Sequence, residues 1–336
     1  MNVGRLRVGP LVVLWYATSI AAVATCKGVL GEAPCPAMLC AAQFSVAVIG
    51  TRILAPMQAL GSLQGKAEAS LVRCISLCYT LGFILTNAAI SIAAPSFVET
   101  FKAAEPISTV AMAAVVLGER ESGLALAALL PLVIGVAMAS SSSATFSTTG
   151  MLLALASNVS FSARAVLTKS LKRDHASALV AGSDVALFYH VSRFGLCLLI
   201  PVALCMDSGA LLEACSGRSG SSIARLILML LLNGLSHSTY NGVSFLVLAK
   251  VSITTHAVLN IIRRVLVIAA AALIFATPVS AFNWVGVALA VLGIGAFARS
   301  KGASERAGAA MITDPSGKRM RPARSSAKHA GSLLPV

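Results

Sequence analysis

Apolar residues in this chain run in blocks of roughly 18–25, each broken by Gly, Pro or a charged cluster, and a helical block of that length spans a hydrocarbon core of about 30 Å. The period-two alternation that marks a membrane barrel is absent. Of the 336 residues, 57% are hydrophobic and 11% charged, with a mean hydropathy of +0.87. A soluble domain carries about 25% charged residues, so a chain this poor in charge has no water-facing surface to offer. These features predict an all-α membrane protein.

Hydropathy and breaker residues divide the chain into ten transmembrane helices, over 8–29, 36–56, 70–92, 95–117, 123–141, 149–170, 184–205, 224–248, 252–275 and 281–299. Bilayer thickness forces a division near Ala94-Pro95-Ser96, where proline disfavours helix in the residue before it. A faint echo links Thr86-Asn87 to Tyr240-Asn241, Leu117-Gly118 to Phe275-Ala276, and Gly135-Val136 to Gly293-Ile294. Five spans followed by five similar ones predict a 5+5 inverted repeat with its site near the midplane. The expected organisation is a transporter domain over 8–301 and a disordered basic tail over 302–336, the latter polar and without apolar periodicity.

The net charge of +14 invites a nucleic-acid reading, but its distribution excludes one. Nearly all the charge lies in short loops and in the tail. With both termini on one side, that side holds Arg5, Arg7, Arg52, Lys66, Arg73, Arg120, Lys169, Lys172, Arg173, Lys250 and every basic residue from Arg299 onward. The other holds Lys27, Arg218 and Arg225. The bias places both termini in the cytosol. Only Met1–Pro10 precede the first apolar block, which is long enough to span, so no cleavable presequence is expected. That favours a Golgi or ER membrane, or an outer, plastid-like organelle membrane.

The eight cysteines show no CxxC pairing and no His partner at zinc spacing. Most sit in apolar stretches as small hydrophobes. Neither a metal nor a cofactor is expected. No Ser/His/Asp or Cys/His arrangement and no phosphate-cradling Gly loop supports an enzyme.

Five basic residues remain inside spans: Lys102, Arg164, Arg193, Arg263 and Arg264, with Glu99 and Glu105 beside Lys102. Each such charge costs roughly 2.5–3.5 kcal/mol on insertion scales, so it must face a wet cavity or a partner. Pairing of Glu99–Lys102 and Lys102–Glu105 at i,i+3 accounts for two cations at most. About three positive charges are left unmet. Arg263 and Arg264 point about 100° apart on one helix and can grip one ligand from neighbouring directions. Guanidinium takes phosphate or carboxylate through two parallel hydrogen bonds. His256, Asn260 and Arg264 form a polar stripe on that helix, and Ser157, Ser160 and Arg164 form another. Tyr240 shares a face with His237 and Asn241, while Arg193 reads equally as a helix partner or a site member. The residues alone thus point to a carrier of organic anions.

In order and spacing, Leu14-Trp15-Tyr16, Thr86-Asn87, Ser96-Phe97 leading to Lys102-Ala103-Ala104-Glu105-Pro106, Leu117-Gly118-Glu119, Asn158 to Arg164, Tyr240-Asn241, Val251 to Arg264 and Thr277 to Ser280 form one pattern. Over residues 8–301 the chain resembles the triose-phosphate/phosphate translocator family of the drug/metabolite transporter superfamily. The resemblance implies a phosphate held by Lys102, Arg263 and Arg264, contacted by Thr86 and Tyr240. Arg164 would hold the rest of the substrate. Three positions depart from the family pattern: Phe83 and Glu99 stand where His is usual, and Arg263 stands where Lys is usual. The part of the site that reads the organic end is therefore expected to differ, with Phe83, Glu99, His256 and Asn260 facing it. The implied partners are a phosphorylated small molecule, inorganic phosphate and the lipid bilayer. The oligomeric state is not legible. Exchange by alternating access follows, with a nucleotide-sugar carrier of the endomembrane system as the alternative.

Overall fold

A computed structural model describes residues 8–311, apart from 56–59, 120, 141–145, 176–177, 249, 252 and 278–279. Among the described residues all regular structure is helical. The helices are α1 Val8–Glu32, α2 Pro36–Leu54, α3 Lys66–Ile92, α4 Pro95–Lys102, α5 Glu105–Leu117, α6 Gly123–Ser140 and α7 Thr148–Asp174. They continue with α8 Leu179–Gly182, α9 Asp184–Met206, α10 Ser208–Cys215, α11 Gly220–Leu248, α12 Ile253–Ile274 and α13 Ala281–Met311. The last runs beyond residue 301.

The ends of these helices follow local chemistry. Pro36 and Pro95 open α2 and α4, where a missing N–H costs nothing. Ser147 and Ser183 accept hydrogen bonds from the amides of Gly150 and Ala186 and so cap α7 and α9. Gly118, at φ 67°, closes α5 in the left-handed conformation that a side chain resists. Between α4 and α5 the chain makes one tight turn rather than the unbroken helix expected over 95–117. Pro106 has no N–H for the carbonyl of Lys102, so the helix cannot continue regularly there. Asn158 of α7 braces the turn, donating to the Phe101 carbonyl at 2.9 Å.

Among the described residues, seven stretches are long and apolar enough to cross a membrane: α1, α2, α3, Pro95–Leu117 (α4 and α5 together), α7, α9 and Ala281–Ser300 of α13. They carry exposed side chains such as Ile53, Val115, Leu204 and Leu292. In water each would cost about 1.5–3 kcal/mol of unrealised burial, whereas in lipid they are solvated. The protein is a helical membrane protein.

Four pairings hold the bundle: α1 on α11, α3 on α7, α2 on α9, and α6 on α13. The last is the tightest. A Cβ on Gly135 would strike the backbone of Ala290, and one on Gly286 would strike that of Ala139. Small residues permit this approach, and dispersion with close backbone contact replaces the hydrophobic drive that lipid does not supply. A chain of buried amides ties α1, α2, α3 and α11 together. Asn87 of α3 donates to Cys40 Sγ (3.1 Å) and Gln43 Oε1 (3.4 Å) of α2. Gln43 donates to Asn233 of α11 at 2.8 Å, and Asn233 donates to the Ala22 carbonyl of α1 at 2.8 Å. Each of these amides would be costly in hydrocarbon alone.

One end of the bundle is latched by charge. Glu32 at the end of α1 takes Arg218 at 2.9 Å and Arg225 at 2.8 Å. Lys27, counted with the loop charges, lies within α1. Its ammonium caps the end of α3, donating to the carbonyls of Ile90 (2.8 Å) and Ala93 (3.1 Å).

Candidate functional site

A cavity of about 360 Å3 lies within the bundle, walled by α1, α2, α3, α4, α5, α7, α11 and α12. Of the residues expected at a site, Lys102, Arg263, Arg264, Thr86, Tyr240, Arg164, Phe83, Glu99 and Asn260 all line it. The side chain of His256 lies outside the described residues. The α4–α5 turn sets Lys102 and Glu105 on its two flanks, so both reach the cavity. Regular helix over the same stretch would have stacked them as a pair one turn apart.

The charges are arranged differently from the simple i,i+3 expectation. Lys102 Nζ is 3.9 Å from Glu99 Oε1, an ion pair beyond hydrogen-bond length. Glu105 leaves Lys102 and meets Arg264 Nη2 at 2.6 Å, joining α5 to α12 across 159 residues of sequence. Arg263 is oriented by Asn260, which accepts from its Nε at 3.0 Å, and by the Trp15 ring 5.8 Å away. Arg164 stacks over Tyr79 at 5.4 Å and Phe161 at 6.0 Å. Its Nε is buried with no hydrogen-bond partner among the described residues.

Four cations therefore face two carboxylates, a surplus of two in the cavity. The expected surplus was three because Arg193 was counted. Arg193 is exposed on the outer face of α9, stacked on Phe194 at 5.2 Å, and takes no part in the cavity. Charge inside a span signals an anomaly but not which way it faces.

Against Lys102 and Arg164 lies an aromatic wall. Phe83 meets Tyr79 (4.8 Å), Phe161 (5.0 Å) and His237 (4.5 Å) edge to face. Lys102 sits 5.3 Å from the Phe161 centroid, its ammonium over an electron-rich face. Thr86 donates to the Gly82 carbonyl at 2.8 Å, and its hydroxyl can rotate to give that proton to a ligand. Tyr79, Trp15, Gln43 and Glu105 belong to the site and were not among the expected members. Gln43 had a signal, an amide inside an apolar block. The site role of Tyr79 had none, since an aromatic in a span reads as packing. No group of three or more metal-binding side chains occurs among the described residues.

The fold and the cavity define a polytopic helical membrane protein with a cationic chamber among its helices. A model of the triose-phosphate transporter family matches residues 6–298, and the chain belongs to that family. It is 32% identical over 300 residues to phosphoenolpyruvate/phosphate translocator 1, chloroplastic, of Oryza sativa subsp. japonica, covering 88% of this chain and 72% of that one. It is 33% identical to phosphoenolpyruvate/phosphate translocator 2, chloroplastic, of Arabidopsis thaliana, covering 88% and 77%. The triose phosphate/phosphate translocator of non-green plastids from Brassica oleracea var. botrytis is 30% identical, with 88% and 73% covered. A solved crystal structure shares the fold at a TM-score of 0.54 and 16% identity, over 86% of this chain and 98% of that one.

Proposed function

We propose that this chain is an antiporter, exchanging a small phosphorylated metabolite for inorganic phosphate or another phosphorylated compound across its membrane. The carrying observation is the chamber's surplus of two cations, with the Lys102 ammonium making no hydrogen bond and Arg164 Nε unpartnered among the described residues. Such groups are costly in a membrane unless an anion visits them. Lys102, Arg263 and Arg264 would grip the phosphate, with Thr86 and Tyr240 adding hydroxyl donors. Arg164 and the Phe83 wall, with Glu99, Asn260 and His256, would face the organic part. A phosphate monoester has the paired oxygens that guanidinium recognises in bidentate fashion.

The similar plastid proteins are named for exchange of phosphoenolpyruvate or triose phosphate with phosphate, which supports the same class here and a plastid-type membrane. They are translocators, not enzymes. The nucleotide-sugar alternative is not favoured by them. Neither a metal, a cofactor nor nucleic acid has a place in this reading.

Alternating access would come from ten spans in a 5+5 inverted repeat. The helix pairings support that arrangement. If α1–α6 and α7–α13 are taken as halves, the pairing of the third span on the sixth (α3 on α7) mirrors that of the eighth on the first (α11 on α1). The pairings of the second on the seventh (α2 on α9) and the fifth on the tenth (α6 on α13) map onto themselves. An even span number and the bias of the loop charges support a reading with both termini in the cytosol.

An empty chamber with two unmet cations resists closing, because closure removes the water that screens them. A bound anion relieves this, so the carrier moves loaded and exchange is coupled. Vesicles holding the protein and preloaded with phosphate take up labelled phosphorylated substrate, whereas vesicles without internal anion take up little. Equal uptake in both would refute coupled exchange.

A further inference from the structure

Two acids face the cations of the chamber, and they are held differently. Glu105 makes a 2.6 Å charge-assisted hydrogen bond to Arg264, which fixes its place. Glu99 is 5% exposed, lies on α4 and faces the chamber. The described structure gives its carboxylate one ion pair, to Lys102 at 3.9 Å, and no hydrogen bond. Lys102, Arg264 and Arg263, the members of the proposed phosphate clamp, line the same chamber as this carboxylate. Glu99 is thus a carboxylate held by field alone, beside the same cations that a phosphate would use.

We propose that Glu99 is a built-in competitor for the transported anion, and this rests on the phosphate-exchange reading above. In the empty chamber its charge offsets Lys102. An incoming phosphate takes the ammonium and leaves the carboxylate nearby as a repelling neighbour. Two consequences follow from the same charge. Bound anion is held less tightly, because a like charge sits a few ångströms away. The empty chamber is also easier to close, because its surplus is two cations and not three. Glu99 therefore trades affinity for release, and it loosens the coupling between inward and outward movement.

The test compares full-length wild type with Glu99→Gln, which keeps the shape and removes the charge, and with Glu99→Ala as a second variant. Each is reconstituted in phosphate-loaded and in anion-free vesicles, with labelled inorganic phosphate outside. The expected result in both variants is a KM for phosphate at least fivefold lower, a lower Vmax from slow release, and a smaller ratio of uptake in anion-free to loaded vesicles. A thermal-stability titration with phosphate in detergent gives the same affinity order without transport. If Glu99 serves instead to position Lys102, removing it raises KM. A raised or unchanged KM in both variants, or an unchanged titration, overturns the proposal. Wild type that exchanges no phosphate or phosphorylated metabolite overturns the transport reading itself, and this inference with it.

Discussion

Arg264 and Glu105 are a pair that neither residue can leave without consequence. Each is partly shielded from water, and their contact at 2.6 Å is the shortest charged contact in the chamber. Arg264→Ala removes one arm of the proposed clamp and leaves Glu105 with its charge and no partner. Loss of the guanidinium's contact with phosphate costs about 1.5–3 kcal/mol, roughly 10- to 150-fold in affinity. Phosphate exchange by this variant should fall by that order while the protein still inserts into the membrane, as read from vesicle uptake against the amount reconstituted. Retained exchange would remove Arg264 from the site. At this scale the sequence was informative about Lys102, Arg164, Arg263 and Arg264, because a cation in an apolar run has few innocent explanations. The partner of Arg264 was illegible. A contact across 159 residues belongs to tertiary structure, and Glu105 had a nearer lysine to claim it.

At the scale of elements, the same limit appears in α4 and α5. Pro106 stands four residues after Lys102 and carries the signal for a break, yet the stretch read as one span because its total length suits a bilayer. The break is what separates Lys102 from Glu105. The seam between α6 and α13 has the opposite character. Gly135 and Gly293 were visible as an echo, but their meaning, a contact surface shared with Gly286, is one that periodicity alone does not reveal. Neither helix contributes to the chamber. Gly286→Leu should therefore cost at least about 1–3 kcal/mol by overpacking, and more if the backbones must part. A lower melting temperature in detergent with an unchanged KM in the surviving carrier checks this. A changed KM would mean that the seam reaches the site.

For the whole molecule, composition alone settled that the chain is helical and lies in a bilayer, because nothing else accommodates its exposed leucines and valines. The organic end of the substrate was less legible. The wall proposed to face it is built by Tyr79, Phe83 and Phe161 from two helices, and aromatic residues in a span look like ordinary packing. The amide chain from Asn87 through Gln43 to Asn233 and on to Ala22 has a bearing on how the protein is made. Asn233 leaves the ribosome 190 residues after Gln43. Until then the first two spans that carry these amides sit in lipid with their polar groups incompletely matched. A chain stopped at residue 219 should therefore be degraded by quality control faster than the full-length protein, as pulse-chase labelling would record. Equal lifetimes would show that the early spans satisfy one another. The nascent carrier, on this view, waits half-assembled in the membrane for a single late asparagine to complete it.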